Sequence, residues 1–307
     1  MRFRNPLLFL ALALAWGSAF TAIKAGLEFF PPVLFAALRY DLAGVLMFGY
    51  AAYVTDRWRP RSRSEWLLVA VGGTLMIAAY HAFLFVGEQG TTSATAAVIV
   101  SLSPILTTGF ARAFLPEERL TTLGILGLLV GFVGVGVLSD PDPNDVLNAR
   151  TISMLLVFLA AAAFALGSVL TRRIEAELPI ETMEAWSMLV GAVVMHATSV
   201  ALSESMADVH WTGDAVLSLL YLVVVSSALG FLIYFDLLDR LGPIEINLVS
   251  YATPVVAAMT GLLFLGETPT PLTALGFAFI LSGFVLLKRD ALRNEFVRIR
   301  SSGRRSE

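Results

Sequence analysis

The sequence predicts an all-α membrane protein: ten transmembrane helices arranged as two inverted five-helix repeats, with the N- and C-termini cytoplasmic. Three observations carry this. Apolar runs of about 20 residues recur along the chain, each long enough, at ~1.5 Å per helical residue, to cross a ~30 Å hydrocarbon core. Basic residues collect in alternate gaps between these runs. Residues of the first half recur 150 positions later.

The composition leaves little room for a soluble domain. The 307 residues are 57% hydrophobic and 15% charged, with a mean hydropathy of +0.78, where soluble domains lie near ~45–50% and ~25%. No cysteine is present, which excludes disulfides, thiol catalysis and thiolate metal sites. His81, His196 and His210 lie far apart in sequence and do not form a ligand pattern. Neither a metal nor a cofactor is expected.

The apolar segments read as 5–26, 31–54, 66–87, 92–114, 121–138, 151–171, 181–202, 213–237, 244–265 and 271–288. The first follows Arg2 and Arg4 and could be taken for a signal peptide, but its apolar stretch runs on to Ala25, longer than an ordinary signal core. The Pro- and Asp-containing stretch 139–150 reads as an acidic external linker that divides the chain into repeats 7–138 and 151–287, with a basic cytoplasmic tail over 288–307. With the N-terminus inside, all 21 basic residues except Lys24, Arg39 and Arg150 fall on the cytoplasmic side, as Lys and Arg favour. The tail suits contact with anionic lipid.

Ser103-Pro104-Ile105-Leu106 aligns with Thr253-Pro254-Val255-Val256, and Gly17-Ser18 with Gly167-Ser168, both at a spacing of 150. With one gap, Glu118, Gly127 and Gly134 align with Glu267, Gly276 and Gly283. Five helices is an odd number, so the second half enters the membrane upside down. Inverted repeats of this kind let one scaffold open a central site to either side.

The ordered set Trp16-Gly17-Ser18-Ala19-Phe20, Lys24, Pro32, Arg39, Thr92-Ser93-Ala94, Pro104, Leu115 and Glu118, with Gly127 and Gly134, resembles one EamA domain. Gly242-Pro243, Pro254, Leu265-Gly266-Glu267, Gly276 and Gly283 resemble a second. The resemblance implies the drug/metabolite transporter superfamily, whose ten-helix members mostly export metabolites, amino acids or xenobiotics. Two departures stand out: Pro116-Glu117-Glu118 replaces the usual Gly-Glu, and no Trp precedes Gly167.

Polar groups inside lipid are costly and tend to face a cavity. On that basis the expected substrate-binding residues are Trp16, Ser18, Thr21, Tyr80, His81, Ser101, Ser103, Pro104, Tyr234, Asn247, Ser250, Tyr251 and Pro254. Pro104 and Pro254 each remove a backbone hydrogen bond and free a carbonyl. Arg39 and Asp41, two apart on one helix, do not face each other, so each is expected to find a partner elsewhere or to reach water, in a structural ion pair near the outer mouth or in substrate binding and coupling. His81 is either a proton acceptor or a satisfied interhelical histidine. Lys24 is expected to snorkel outward, Glu184 and Trp186 to anchor at the interface, and Glu118 and Glu267 to cap the helices that follow them. The glycine-rich fifth helix and the tenth, with its small residues, are expected to pack on each other. Dimerisation through them is the alternative.

The reading is therefore a secondary transporter, an exporter in the first instance. A small-molecule solute and the bilayer are its partners, with no nucleic acid, and a monomer suffices as the transport unit. No phosphate-binding loop motif is present. The paired carboxylates, activated nucleophile or metal cluster of a membrane enzyme are missing as well. A channel, or a receptor-like scaffold without active transport, is the alternative.

Overall fold

The computed structural model describes residues 4–115, 122–139, 148–241, 246, 248–287 and 289. Within them the chain forms ten long helical segments and no strand. These are α1 (Arg4–Gly26), α2 (Pro32–Val54), α3 (Arg63–Glu88), α4 (Ser93–Phe114), α5 (Thr122–Ser139), α6 (Ala149–Arg173), α7 (Ile180–Ala201), α8 (Gly213–Tyr221, Leu222–Leu229 and Gly230–Leu241), α9 (Val249–Leu265) and α10 (Pro271–Leu287). Seven of them, α1 to α6 and α8, are long and apolar enough to cross a membrane, and α9 and α10 are shorter apolar helices. α7 carries Glu181 and Glu184 near its start and falls in neither group. Glu118, Gly242-Pro243, Asn247, most of the acidic linker and nearly all of the basic tail lie outside the described residues.

Helix starts that carry their own cap use it. Ser62 and Glu65 form a capping box at α3, and Thr92, Asn148 and Thr212 accept the N–H of Thr95, Thr151 and Ala215. α2 starts at Pro31-Pro32 without a side-chain cap. Its free Val33 and Leu34 N–H groups donate instead to the Glu204 carboxylate, at 3.1 and 2.7 Å, from the α7–α8 connection. Two charged side chains at this same end of the bundle find partners that the sequence does not reveal. Lys24 is the first. Its Nζ donates to the carbonyls of Glu88, Gln89 and Thr91 at 2.8, 3.0 and 2.9 Å, where a cation satisfies the closing turn of α3. Glu267 does cap a helix, but not the one that follows it. It accepts the Ser93 N–H at 2.9 Å, at the start of α4 in the other half of the chain. Gly266 places it there through a left-handed turn (φ 66°) that favours glycine.

The packing is the same when the two halves are exchanged. α2 packs on α7 and α5 on α10, α1 packs on α8 and α9, and α6 packs on α3 and α4. The α5–α10 contact brings backbones together at glycine. A Cβ at Gly127 would collide with the Gly283 carbonyl, and one at Gly134 would lie 2.8 Å from the Gly276 carbonyl. Wide π-helical turns repeat as well, over Gly72–Ala79 in α3 and Leu222–Leu229 in α8. Large apolar side chains such as Leu10, Val45, Leu129 and Leu217 cover the outward surface, as suits contact with lipid.

Gly134→Val should wedge α5 from α10 and destabilise the protein by about 1–3 kcal/mol. Gly136, with no atom within 4 Å of an added Cβ, should accept alanine unchanged. Thermal unfolding in detergent measures both, and equal melting temperatures for the two variants would contradict the seam.

Candidate functional site

The site begins at two helix irregularities. α4 is broken at Ser101–Leu102, and its second piece, Ser103–Phe114, starts with Pro104 in the first turn. Pro254 lies inside the continuous helix Val249–Thr260. Each proline lacks the N–H that would reach the carbonyl four residues back, at Val100 and Ser250. The residue before each proline fills that carbonyl: Ser103 Oγ donates to Val100 at 2.7 Å and Thr253 Oγ1 to Ser250 at 3.1 Å. All four of these residues line a central cavity of about 230 Å³.

Helices from both halves supply its polar wall. From α2, Arg39 is 5% exposed; its Nε and one terminal nitrogen donate to Ser227 Oγ and Ser226 Oγ, both at 3.1 Å. From α1, Trp16 Nε1 donates to the Ser226 carbonyl at 3.2 Å, and its ring packs on Tyr234 and Phe231 of α8. From α3, His81 Nδ1 lies 2.8 Å from the Ile77 carbonyl, which can only accept, so Nδ1 carries the proton. Nε2 of the neutral ring then accepts the Tyr40 hydroxyl at 2.7 Å. Both ring nitrogens are thus used between α2 and α3. From α7, Glu184 lines the cavity, is buried, and accepts no hydrogen bond among the described residues.

Of the residues singled out in the sequence, Trp16, Arg39, Tyr80, His81, Ser103, Tyr234 and Ser250 meet at this cavity. The others do not. Ser18 Oγ bonds the Tyr221 hydroxyl at 2.6 Å and Thr21 bonds Thr260 Oγ1 at 2.6 Å, so both join α1 to its neighbours. Ser101 donates to Val98 of its own helix. Pro104 sits behind Ser103, and Pro254 is buried in α9 behind Thr253. Tyr251 turns away to pack, tilted by 37°, on Phe284 of α10, with ring centroids 4.3 Å apart. Asp41 does not meet Arg39; it pairs with His196 of α7 at 2.7 Å. Asn247 lies outside the described residues. Glu184, read from the sequence as an interfacial anchor, is in the cavity wall instead. Its place three residues before Ser187, which also lines the cavity, is the one sequence signal that marks this face of α7.

The cavity runs from Ile23 and Leu84 to Met183 and Ile246, the last two close to the starts of α7 and α9. On the Ile23 and Leu84 side, helix ends are tied together by the Lys24, Glu204 and Glu267 contacts and by His210 N–H donating to the Phe29 carbonyl at 2.9 Å.

Replacing Ser226 and Ser227 together by alanine removes both hydroxyl partners of a buried guanidinium. The loss should be about 2–4 kcal/mol. Adding Arg39→Met should restore most of the melting temperature, since no buried charge is then left unpaired. A triple variant as unstable as the double would refute this account of Arg39.

The EamA-like transporter family matches the chain twice, over residues 5–140 and 151–289. Relatives of similar length include an inner membrane transporter of Escherichia coli, YedA, 29% identical over 94% of this chain and 92% of its own. A probable amino-acid metabolite efflux pump of Salmonella typhimurium is 28% identical over 92% of this chain and 94% of its own. An archaeal transporter from Archaeoglobus fulgidus is 26% identical over 89% and 95%. A solved crystal structure shares the fold, with a TM-score of 0.65 at 24% identity, covering 95% of this chain and 98% of its own. A doubled match that spans both halves, around a cavity built where those halves meet, leaves one assignment: the chain belongs to the EamA-like transporter family.

Proposed function

We propose that this chain is a secondary transporter of the plasma membrane that exports a small metabolite, amino acid or xenobiotic by alternating access. In this reading ten helices cross the bilayer as two inverted repeats, 7–138 and 151–287, with both termini cytoplasmic and one chain as the transport unit. The observation that carries it is the central cavity, which lies between packing-equivalent halves and holds one buried basic and one buried acidic side chain, Arg39 and Glu184. Arg39 has donors to spare beyond its two serines, and Glu184 has all its acceptor capacity free. A solute with a hydrogen-bond acceptor or anionic group at one end and a donor or cationic group at the other would satisfy both. The aromatic walls of Trp16, Tyr80, Phe164 and Phe231 suit an apolar body between them. The amino-acid metabolite named for the Salmonella relative is of that kind. On the orientation expected from the basic residues, the cavity reaches toward the cytoplasmic end, which supports an exporter ready to load.

Flux into sealed proteoliposomes tests the proposal. A small amino-acid-like solute should enter with saturable kinetics and exchange against unlabelled solute. Glu184→Gln should slow it by about tenfold, the weight of one charged hydrogen bond, while Gly136→Ala should leave it unchanged. Flux that never saturates would point to a channel, and the absence of flux across a metabolite panel would favour a scaffold.

A further inference from the structure

A second concave site lies away from the cavity, where the α2–α3 connection meets α7. The connection is held rigidly. Arg57 is committed to an ion pair with Glu65, whose other oxygen accepts the backbone N–H of Arg61 at 2.5 Å. α7 clasps the same segment from the other half of the chain: Thr182 Oγ1 donates to the Arg57 carbonyl at 2.8 Å and Trp186 Nε1 to the Trp58 carbonyl at 2.9 Å. The result is a cleft lined by Trp58, Arg59, Pro60, Arg61, Trp66 and Trp186.

Its chemistry is lopsided. Trp66 stands edge-on to Trp186 with ring centroids 5.2 Å apart, and the Arg59 guanidinium lies 5.7 Å from the Trp58 ring centroid. Among the described residues, the guanidiniums of Arg59 and Arg61 have neither a hydrogen-bond acceptor nor a carboxylate at ion-pair distance, and no carboxylate lines the cleft. Beside it the apolar surface of the helices begins, with Tyr53, Leu67 and Ile180 exposed. Two unneutralised guanidiniums at the edge of an apolar belt match a phosphodiester in charge and geometry, and indole rings prefer the depth of the glycerol and upper acyl chains. A zwitterionic headgroup would find no counter-charge for its ammonium in this wall.

We infer that this cleft is a binding site for the headgroup of an anionic phospholipid, with Arg59 and Arg61 on the phosphate and the tryptophans against the glycerol end. The lipid then bridges the α2–α3 connection and α7, which belong to different halves of the chain.

Three of the five tryptophans lie in this cleft, so their fluorescence reports the lipid beside them. The full chain is reconstituted in equimolar phosphatidylglycerol and phosphatidylcholine, with one or the other brominated high on its acyl chains. Quenching should show phosphatidylglycerol favoured about fivefold or more over phosphatidylcholine, the scale of one basic residue at a membrane surface. R59Q/R61Q should remove that preference. R63Q, which removes a neighbouring charge at the start of α3, outside the cleft, should keep it. Equal quenching of the wild type by the two lipids overturns the site whatever the variants do. Loss of the preference in R63Q to the same degree as in R59Q/R61Q overturns it in favour of a diffuse charge effect.

Discussion

Arg39 brings a full charge into the interior of an apolar helix bundle, and the site is arranged around keeping it there. An unpaired cation at such a position is among the costlier features a membrane protein can carry. Its partners are two adjacent serine hydroxyls on the wide turn of α8, and the carbonyl of one of those serines also takes the Trp16 N–H. Three helices, α1 and α2 from one half and α8 from the other, therefore converge on Ser226. The guanidinium faces hydroxyls on one side and the cavity on the other, so the interface between the halves and the cavity coincide.

The scaffold repeats but its chemistry does not. Wide turns, prolines with hydroxyl-filled carbonyls, and paired glycines recur at matching positions. Apart from the hydroxyls of Ser103 and Thr253, the polar groups of the cavity are single copies. At a spacing of 150, Trp16 corresponds to Leu166, Arg39 to Leu189, His81 to Phe231, and Glu184 to Leu34. A symmetric frame can rock between two equivalent arrangements while one fixed set of ligands is turned first to one side and then to the other. On the proposed alternating-access reading, this division accounts for backbone features that are duplicated beside cavity side chains that mostly are not.

The helix positions and the repeat could be read from sequence because apolar length and residue identity encode them directly. The orientation of each helix about its axis was harder. A helix buried among others on one side and in lipid on the other is apolar all round, so a polar residue on it carries depth but little azimuth. Trp16, Tyr80 and Ser250 turn toward the cavity, whereas Ser18, Thr21 and Tyr251, spaced along α1 and α9 close to these, turn to neighbouring helices. Lys24, Glu204 and Glu267 act on helix ends far away in sequence, and local capping motifs say nothing of such partners. Glu184 stands one turn into α7, where position alone marks an interfacial residue; only the packing of α7 on α2 and α3 turns it inward.

Alternating access requires one chamber reached from each face in turn. The chain has no cysteine, so a single Ser250→Cys variant carries the only thiol, in the cavity wall. Labelling by a membrane-impermeant maleimide in right-side-out and inside-out vesicles reads access from each side. Alternating access predicts labelling from both faces, slowed by a transported solute. Labelling from one face alone, with and without solute, would contradict it.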